Sequence, residues 1–464
     1  ITEVNNSIIE KDNYYLMGDL IGKQGVEISY ENELRGIKGI KFIQKDRFNR
    51  DVGSFKNGEL DIIPIAGKDL TITIDSELQK YGEQLMRGKK GGIVAIDPSN
   101  GEILSLVSAP SYNPNLLIGR NRSKNYMDLY NDSIYKPLID KSLLNMHAPG
   151  SPFKILVGLS ALQEKAITEK TSIYCNNYYQ YGKEKRTMQC HCGGGHRNLT
   201  NAISLSCNSY FANAYRKTID TKSPTEKSFN NWSDQIKSFG LGEYLNNDLS
   251  VGKKGVIPDF EFYNNWYPDF KWGATTTLSN SIGQGEVLVT PIQLANMTAA
   301  IANKGFYYTP HIIKKIEGSE IDSKFKIKNY TLIDSTYFDP IIEGLSKVYT
   351  SGTAKFLQVP GIEICGKTGT AENFTKIKGE KTQLTDHSIF IAFAPKDNPT
   401  IAISVLVENG YYGSRWAGRI ASLMIEKYVK GEVTLKNMEQ LVINTNLAEE
   451  YEKPYLDKPF KINQ

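Results

Sequence analysis

Hydrophobic and polar positions along the chain follow two periods, and each marks its own set of elements. Gly92-Ile-Val-Ala-Ile-Asp97 and Glu102-Ile-Leu-Ser-Leu-Val107 flank the turn Pro98-Ser-Asn-Gly101, which predicts a strand hairpin. Near the other end, Ser388-Ile-Phe-Ile-Ala-Phe393 and Ile401-Ala-Ile-Ser-Val-Leu-Val407 flank Pro395 to Pro399 and predict a second strand pair. The stretch from Gly361 to Lys367 supplies a fifth strand. Between these two groups the period lengthens. Phe153, Leu156, Val157, Ser160 and Ala161 share one face at helical spacing. Thr290-Pro-Ile-Gln293 combines an N-cap, a proline at the first helical position and a capping-box glutamine. That helix runs through Leu294 to Asn303, with Gly305 expected as its C-cap. Helices are also expected from Asp75 to Met86 and from Arg415 to Lys430, the latter packing on the sheet. The pattern predicts an α+β fold: a five-stranded antiparallel sheet split by a long helical insertion.

Length divides the chain further. At 464 residues it exceeds one typical domain. Residues 1–70 carry short strand-like runs such as Gly39-Ile-Lys-Phe-Ile43 and are expected to form a smaller, non-catalytic module. Residues 71–432 are expected to form the main domain, and the polar residues 433–464 a C-terminal tail. Hydrophobic content of 40% and charged content of 23% are those of a globular protein, and a net charge of +4 argues against a dedicated nucleic-acid binder. No run of about 18 apolar residues is present to span a membrane. The chain opens at Ile1, not Met, which points to a fragment or processed product.

Three short motifs then change the picture. Ser151-Pro-Phe-Lys154, Ser206-Cys-Asn208 and Lys367-Thr-Gly369 occur in that order. S-x-x-K matches also begin at Ser133, Ser250 and Ser323, but only Ser151 follows a Pro-Gly turn and opens an apolar helix. S-x-N recurs elsewhere, as at Ser111 and Ser228, while K-T-G occurs once. Singly each has a bland reading: a helix-start serine, a solvated lysine, a turn closing a strand. Jointly they match the S-x-x-K, S-x-N, K-T-G set of penicillin-binding proteins and serine β-lactamases. The chemistry needs this spacing. A serine hydroxyl attacks an amide poorly unless a base takes its proton, and Lys154 sits one helical turn from Ser151. Burial of that lysine would leave part of it neutral and basic. Ser206 is suited to relay a proton to a leaving amine, and Asn208 to hold the substrate backbone. Lys367 and Thr368, with Gly369 between them and Thr370, offer a cation and a hydroxyl to a carboxylate on a strand edge that can pair with a peptide. The N–H groups of Ser151 and Thr370 are the expected oxyanion hole. No H-E-x-x-H, G-x-S-x-G or P-loop competes, and no organic cofactor is expected.

On these residues the chain resembles class B high-molecular-weight penicillin-binding proteins, most closely the elongation type, the penicillin-binding protein 2 group. Ala148-Pro-Gly-Ser-Pro-Phe-Lys154 and Gly366-Lys-Thr-Gly-Thr-Ala371 match its transpeptidase core, and Ile282-Gly-Gln-Gly285 with Thr290-Pro-Ile-Gln293 a second block. Ile21-Gly-Lys-Gln-Gly-Val-Glu27 and Tyr30-Glu-Asn-Glu-Leu-Arg-Gly36 resemble its pedestal, and Ser351-Gly-Thr-Ala354 also favours the elongation type. The resemblance implies the penicillin-binding transpeptidase/serine β-lactamase-like fold and cross-linking of peptidoglycan stem peptides through an acyl-enzyme on Ser151, with β-lactam antibiotics acylating the same serine. It also implies a single membrane anchor upstream of residue 1 and a catalytic domain in the periplasm. The implied partners are a polytopic glycosyltransferase and scaffold proteins of the elongation machinery. Pro152 stands where the family often has a small hydroxyl residue.

Five cysteines remain, four of them between Cys175 and Cys207. Cys175, Cys190, His196 and Cys207 follow C-x14-C-x5-H-x10-C, a spacing suited to a closed structural zinc site, with Cys192 and His191 as substitute ligands. The resemblance adds that some elongation-type members hold zinc near the cleft. The alternative is a disulfide such as Cys175–Cys190. Three rivals share the motifs: a β-lactamase or β-lactam sensor, a D,D-carboxypeptidase, and a catalytically silent scaffold. Length and the upstream module count against the first, and the intact Ser151–Lys154 pair against the last.

Overall fold

The computed structural model describes residues 2–3, 6–9, 11–220, 225–377 and 379–455. The chain divides into two compact units. One comprises Ile1–Thr73, Asn247–Val251 and His311–Phe325, and the other the three stretches that remain.

The second unit is built on a five-stranded antiparallel sheet. Its strands are β1 (Gly91–Ile96), β2 (Ile103–Ala109), β3 (Cys365–Ile377), β4 (Glu380–Ala394) and β5 (Ile401–Val407). They lie in the order β3-β4-β5-β1-β2, so the two terminal halves of the domain meet where β5 pairs with β1, Val405 opposite Ile93. Every residue of β5 is buried. Because side chains alternate between faces, that run requires cover on both. The domain's main helices, in chain order, are α1 (Ser76–Leu85), α2 (Lys154–Gln163), α3 (Leu199–Ser204), α4 (Asn208–Asp220), α5 (Pro291–Ala302), α6 (Phe338–Thr350) and α7 (Ala417–Lys430). Helix α5 packs on β1 and β5, while α7 packs on β4, β5 and α1.

Local sequence explains the ends. Asp75 caps α1, its carboxylate accepting from Glu77 N and Leu78 N. The Thr290–Gln293 capping box is formed, with Pro291 in the first turn of α5. At the other end of α5 the expected glycine cap is displaced by one residue. Lys304 takes the left-handed position (φ 56°), and Gly305 N reaches back to Ala300 O at 2.9 Å. The fifth strand also differs from its expected span. It begins at Cys365, so the K-T-G motif lies inside β3 rather than at its end. β3 is an edge strand, paired on one side only, with Thr368 opposite Phe390 and Thr370 opposite Ser388.

Residues expected as a polar tail are folded as far as Tyr455. Lys436–Asn444 and Ala448–Glu452 are helices in the second unit. The Lys89 ammonium is buried and donates to Val442 O at 2.6 Å and Thr445 O at 3.0 Å, while Lys90 N donates to Tyr451 Oη at 2.9 Å. Buried anchors, among them Val442, Leu447 and Tyr451, dock a largely hydrophilic stretch.

The first unit has short elements and little core. The hairpin Ile43–Lys45/Asp51–Ser54 is exposed throughout, and Leu70–Ile72 pairs with Ile313–Ile316. Ile313, Ile316 and Phe325 form its buried cluster, with Tyr30, Leu70 and Ile321 against it. Asp248 joins the pieces, accepting from Ile313 N at 3.0 Å and Tyr30 Oη at 2.8 Å. Two later stretches thus return to a module that the sequence pattern assigned wholly to residues 1–70.

Candidate active site

The nucleophile turn is set by Gly150, whose φ of 60° and ψ of −147° are open essentially to glycine alone. Ser151-Pro-Phe153 forms a tight first turn and continues directly into α2. Pro152 fits there because a first-turn residue has no intrahelical N–H partner to lose. Three residues on, Lys154 is fully buried, and its Nζ lies 3.0 Å from Ser151 Oγ.

Ser206 arrives from α3. That helix ends in a Schellman motif: Cys207 N donates to Ala202 O at 2.9 Å and Ser206 N to Ile203 O at 3.2 Å. Serine occupies the left-handed position (φ 56°) that glycine usually takes. Such a residue carries strain of order 1 kcal/mol or more, retained here where the hydroxyl meets Ser151 and Lys154. Ser206 Oγ lies 3.0 Å from Ser151 Oγ and 3.0 Å from Lys154 Nζ. The two hydroxyls and the amine therefore form a closed triangle, and Ser206 O takes a further bond from Lys154 Nζ at 2.8 Å.

Burial raises the share of Lys154 that is neutral. Burial pushes its ammonium down to about 8, against the opposing pull of the Cys190, Cys207 and Cys192 sulfurs. Lys367 is also fully buried, and burial together with the charge of Lys154 holds it well below the usual lysine range. Its Nζ lies 3.2 Å from Thr368 O. Gly369 has no room for a side chain, since a Cβ there would meet Pro152 Cδ at 2.7 Å. The Asn208 side chain turns to the hairpin before Cys190, donating to Gln189 O at 2.7 Å.

Two groups at this site carried no sequence signal of their own. Thr353 Oγ1 lies 2.9 Å from Thr368 Oγ1, placing the Ser351-Gly-Thr-Ala354 loop against the K-T-G hydroxyl. Gln284 Nε2 donates to Thr370 O at 3.1 Å. Both come from blocks matched only by resemblance, and their partners are distant in sequence.

Behind Ser206, four sulfurs converge. Cys175, Cys190, Cys192 and Cys207 are buried, with their Sγ atoms all within 4.8 Å of one another. Cys192 Sγ lies 3.5 Å from Cys175 Sγ, and Cys190 Sγ 3.7 Å from Cys207 Sγ. A tetrahedral zinc with Zn–S bonds of about 2.3 Å sets its sulfurs ~3.8 Å apart, so the donor set fits that ion. Asn208 N and Ser209 Oγ lie 3.1 and 3.2 Å from Cys190 Sγ and Cys175 Sγ. The hydrogen bond from Cys207 holds the Cys190 thiol well below the usual cysteine range. None of the four is in a disulfide, the alternative Cys175–Cys190 pair included.

His196 lies outside this cluster, and strand alternation explains why. Its strand, Gly195–Arg197, pairs with Ile173–Cys175, setting His196 opposite Tyr174 and Gly195 opposite Cys175. Cys175 points inward, so its neighbour Tyr174 and the cross-strand His196 share the outer face. The exposed imidazole stacks edge-on against Tyr174 and lies 3.3 Å from Ser172 Oγ. Cys192 takes its place. Residues two apart in extended chain point the same way, so Cys190 and Cys192 face the cluster while His191 is exposed. That alternation within Cys190-His-Cys192 was the available signal for Cys192, whereas excluding His196 takes the strand pairing.

A serine hydrogen-bonded to a buried lysine and a second serine, beside an edge strand carrying K-T-G, is the arrangement expected of the penicillin-recognising serine class. Comparison with known proteins agrees. The penicillin-binding protein transpeptidase domain family matches residues 91–426, and the penicillin-binding protein dimerisation domain family matches residues 1–72. The chain belongs to the penicillin-binding protein transpeptidase family. It is 33% identical over 422 residues to the peptidoglycan D,D-transpeptidase MrdA of Acinetobacter baumannii, covering 87% of this chain and 60% of the relative's length. The crystal structure of Pseudomonas aeruginosa PBP2 in complex with WCK 5153 superimposes with a TM-score of 0.73 at 32% identity, covering 90% of this chain and 86% of that one. The complex of PBP2 with MreC from Helicobacter pylori gives a TM-score of 0.76 at 27% identity, covering 93% and 76%.

Proposed function

We propose that the protein is a peptidoglycan D,D-transpeptidase of the elongation type, forming an acyl-enzyme on Ser151. Neutral Lys154 takes the Ser151 proton as Oγ attacks the carbonyl carbon of the penultimate D-alanine. The developing oxyanion is held by the N–H groups of Ser151 and Thr370. Thr368 and Lys367 hold the terminal carboxylate, and the stem peptide pairs along the open edge of β3. As the tetrahedral intermediate collapses, Ser206 passes a proton to the departing D-alanine amine. An amine of a neighbouring stem then attacks the ester, forming the cross-link and restoring the Ser151 hydroxyl. β-Lactams acylate the same oxygen.

The closed triangle of Ser151 Oγ, Lys154 Nζ and Ser206 Oγ carries this reading. Intact-mass measurement after benzylpenicillin tests it. A long-lived single adduct is expected on the native protein and none on Ser151→Ala. An adduct on both overturns the assignment, and fast release of hydrolysed drug by the native protein would indicate a β-lactamase.

The location follows from the substrate: we place the domain outside the cytoplasmic membrane, on an anchor upstream of Ile1. No helix among the described residues is long and apolar enough to cross a membrane. The similarity to a PBP2 solved together with MreC supports scaffold proteins of the elongation machinery as partners, and a polytopic glycosyltransferase is proposed beside them. We further propose that Cys175, Cys190, Cys192 and Cys207 hold one structural zinc. All four ligands come from protein, which leaves no open position for chemistry and confines the ion to bracing the Ser206 loop.

A further inference from the structure

The oxyanion hole joins two stretches far apart in sequence, the turn before α2 and the edge strand β3. What fixes their separation is the loop Ile282-Gly-Gln-Gly285. Gly283 is left-handed (φ 68°), and its carbonyl accepts from Gly150 N at 2.8 Å. A Cβ on Gly283 would meet Gly150 O at 2.3 Å, and one on Gly150 would meet Thr370 O at 2.6 Å. Three backbones are thus in contact without side chains between them. One residue further, Gln284 Nε2 donates to Thr370 O at 3.1 Å. The loop therefore holds one half of the hole through its main chain and the other through a side chain.

In an antiparallel ladder a residue either exchanges both main-chain bonds with its partner or turns both away. A Thr370 carbonyl taken by Gln284, off the open edge of β3, means that the Thr370 N–H also points off that edge, into the cleft. We propose that Gln284 is a positioning residue for acylation: its amide fixes the Thr370 peptide so that the N–H meets the oxyanion as it forms. The proposal rests on the acyl-transfer reading above and deepens it. Gln284 touches no reacting atom, and its effect passes through Thr370.

The test is benzylpenicillin acylation of the whole protein, resolved into the non-covalent dissociation constant and the acylation rate constant. Removing one oxyanion donor outright costs about 10²–10³-fold in rate, so loosening one should cost roughly 10–100-fold. Gln284→Ala is expected to lose that much in the rate constant, with the dissociation constant and melting temperature little changed. Gln284→Glu keeps the size but loses the donor when ionised. Its rate relative to native protein at the same pH should rise as pH is lowered towards ~4–5, where the protonated carboxyl donates again. If Gln284→Ala melts early, Gln284→Glu decides. Native protein that acylates alongside a Gln284→Ala that matches it overturns this proposal alone. So does a loss confined to the dissociation constant, or a Gln284→Glu ratio flat with pH. Native protein without an adduct overturns both readings.

Discussion

The catalytic corner and the sulfur cluster lie on either side of one peptide bond, between Ser206 and Cys207, yet they are assembled in opposite ways. The corner is main-chain work. A helical turn spaces Lys154 from Ser151, a Schellman turn delivers Ser206, and glycine contacts set the strand beside them. The cluster is side-chain work. Cys175 ends a three-residue strand, Cys190 and Cys192 sit in a loop, and Cys207 follows a helix. Hydrogen-bonded backbone holds its geometry whether or not a ligand is present. Four thiols held on short elements depend on whatever bridges them.

The sharpest break of that contrast is at Lys154. Lys154→Met fills the same buried volume without a base, and acylation by benzylpenicillin should fall about 10²–10⁴-fold with the fold intact. An unchanged rate in time-resolved mass spectra would mean that another group takes the proton. Acidity probes the same atom less severely. In the proposed mechanism the active form is the neutral amine; burial lowers the Lys154 ammonium to about 8, so that form is lost as pH falls through this value. The native acylation rate should therefore level off above that value and fall towards tenfold per unit below it. A profile flat from pH 6 to 9 would sink the role given to Lys154. The smallest effect belongs to the cluster. Cys192→Ser should lower bound zinc well below one per chain and drop the melting temperature by a few degrees, while His196→Ala, altering one exposed ring, should leave both unchanged. The reverse pattern in elemental analysis would restore the histidine as ligand.

The same contrast governs what the sequence made legible. The strand pairs, the Thr290–Gln293 cap and the Ser151–Lys154 spacing are local, each encoded in one short uninterrupted stretch, and the structure contains all three. Choosing Cys192 over His196 depended on a strand pairing, Gly195 opposite Cys175, that spacing alone does not reveal. Thr353 and Gln284 reach partners 15 and 86 residues away, across a fold that must first be built. Residues 311–325 return to the first unit through a strand pairing and Asp248, with no change in composition to mark it. The C-terminal stretch was read as a tail because its polar residues outnumber the few anchors that dock it.

At Gly150, Gly283 and Gly369 a single methyl group would strike neighbouring atoms at 2.3 to 2.7 Å. Under the acyl-transfer reading proposed above, a side chain at any of the three would displace the backbone that spaces the site, so exclusion of a β-lactam and loss of the reaction would come together. Substitution meets less resistance at Asn208 and Thr353, which are only partly buried and reach the site through side chains rather than through packed backbone.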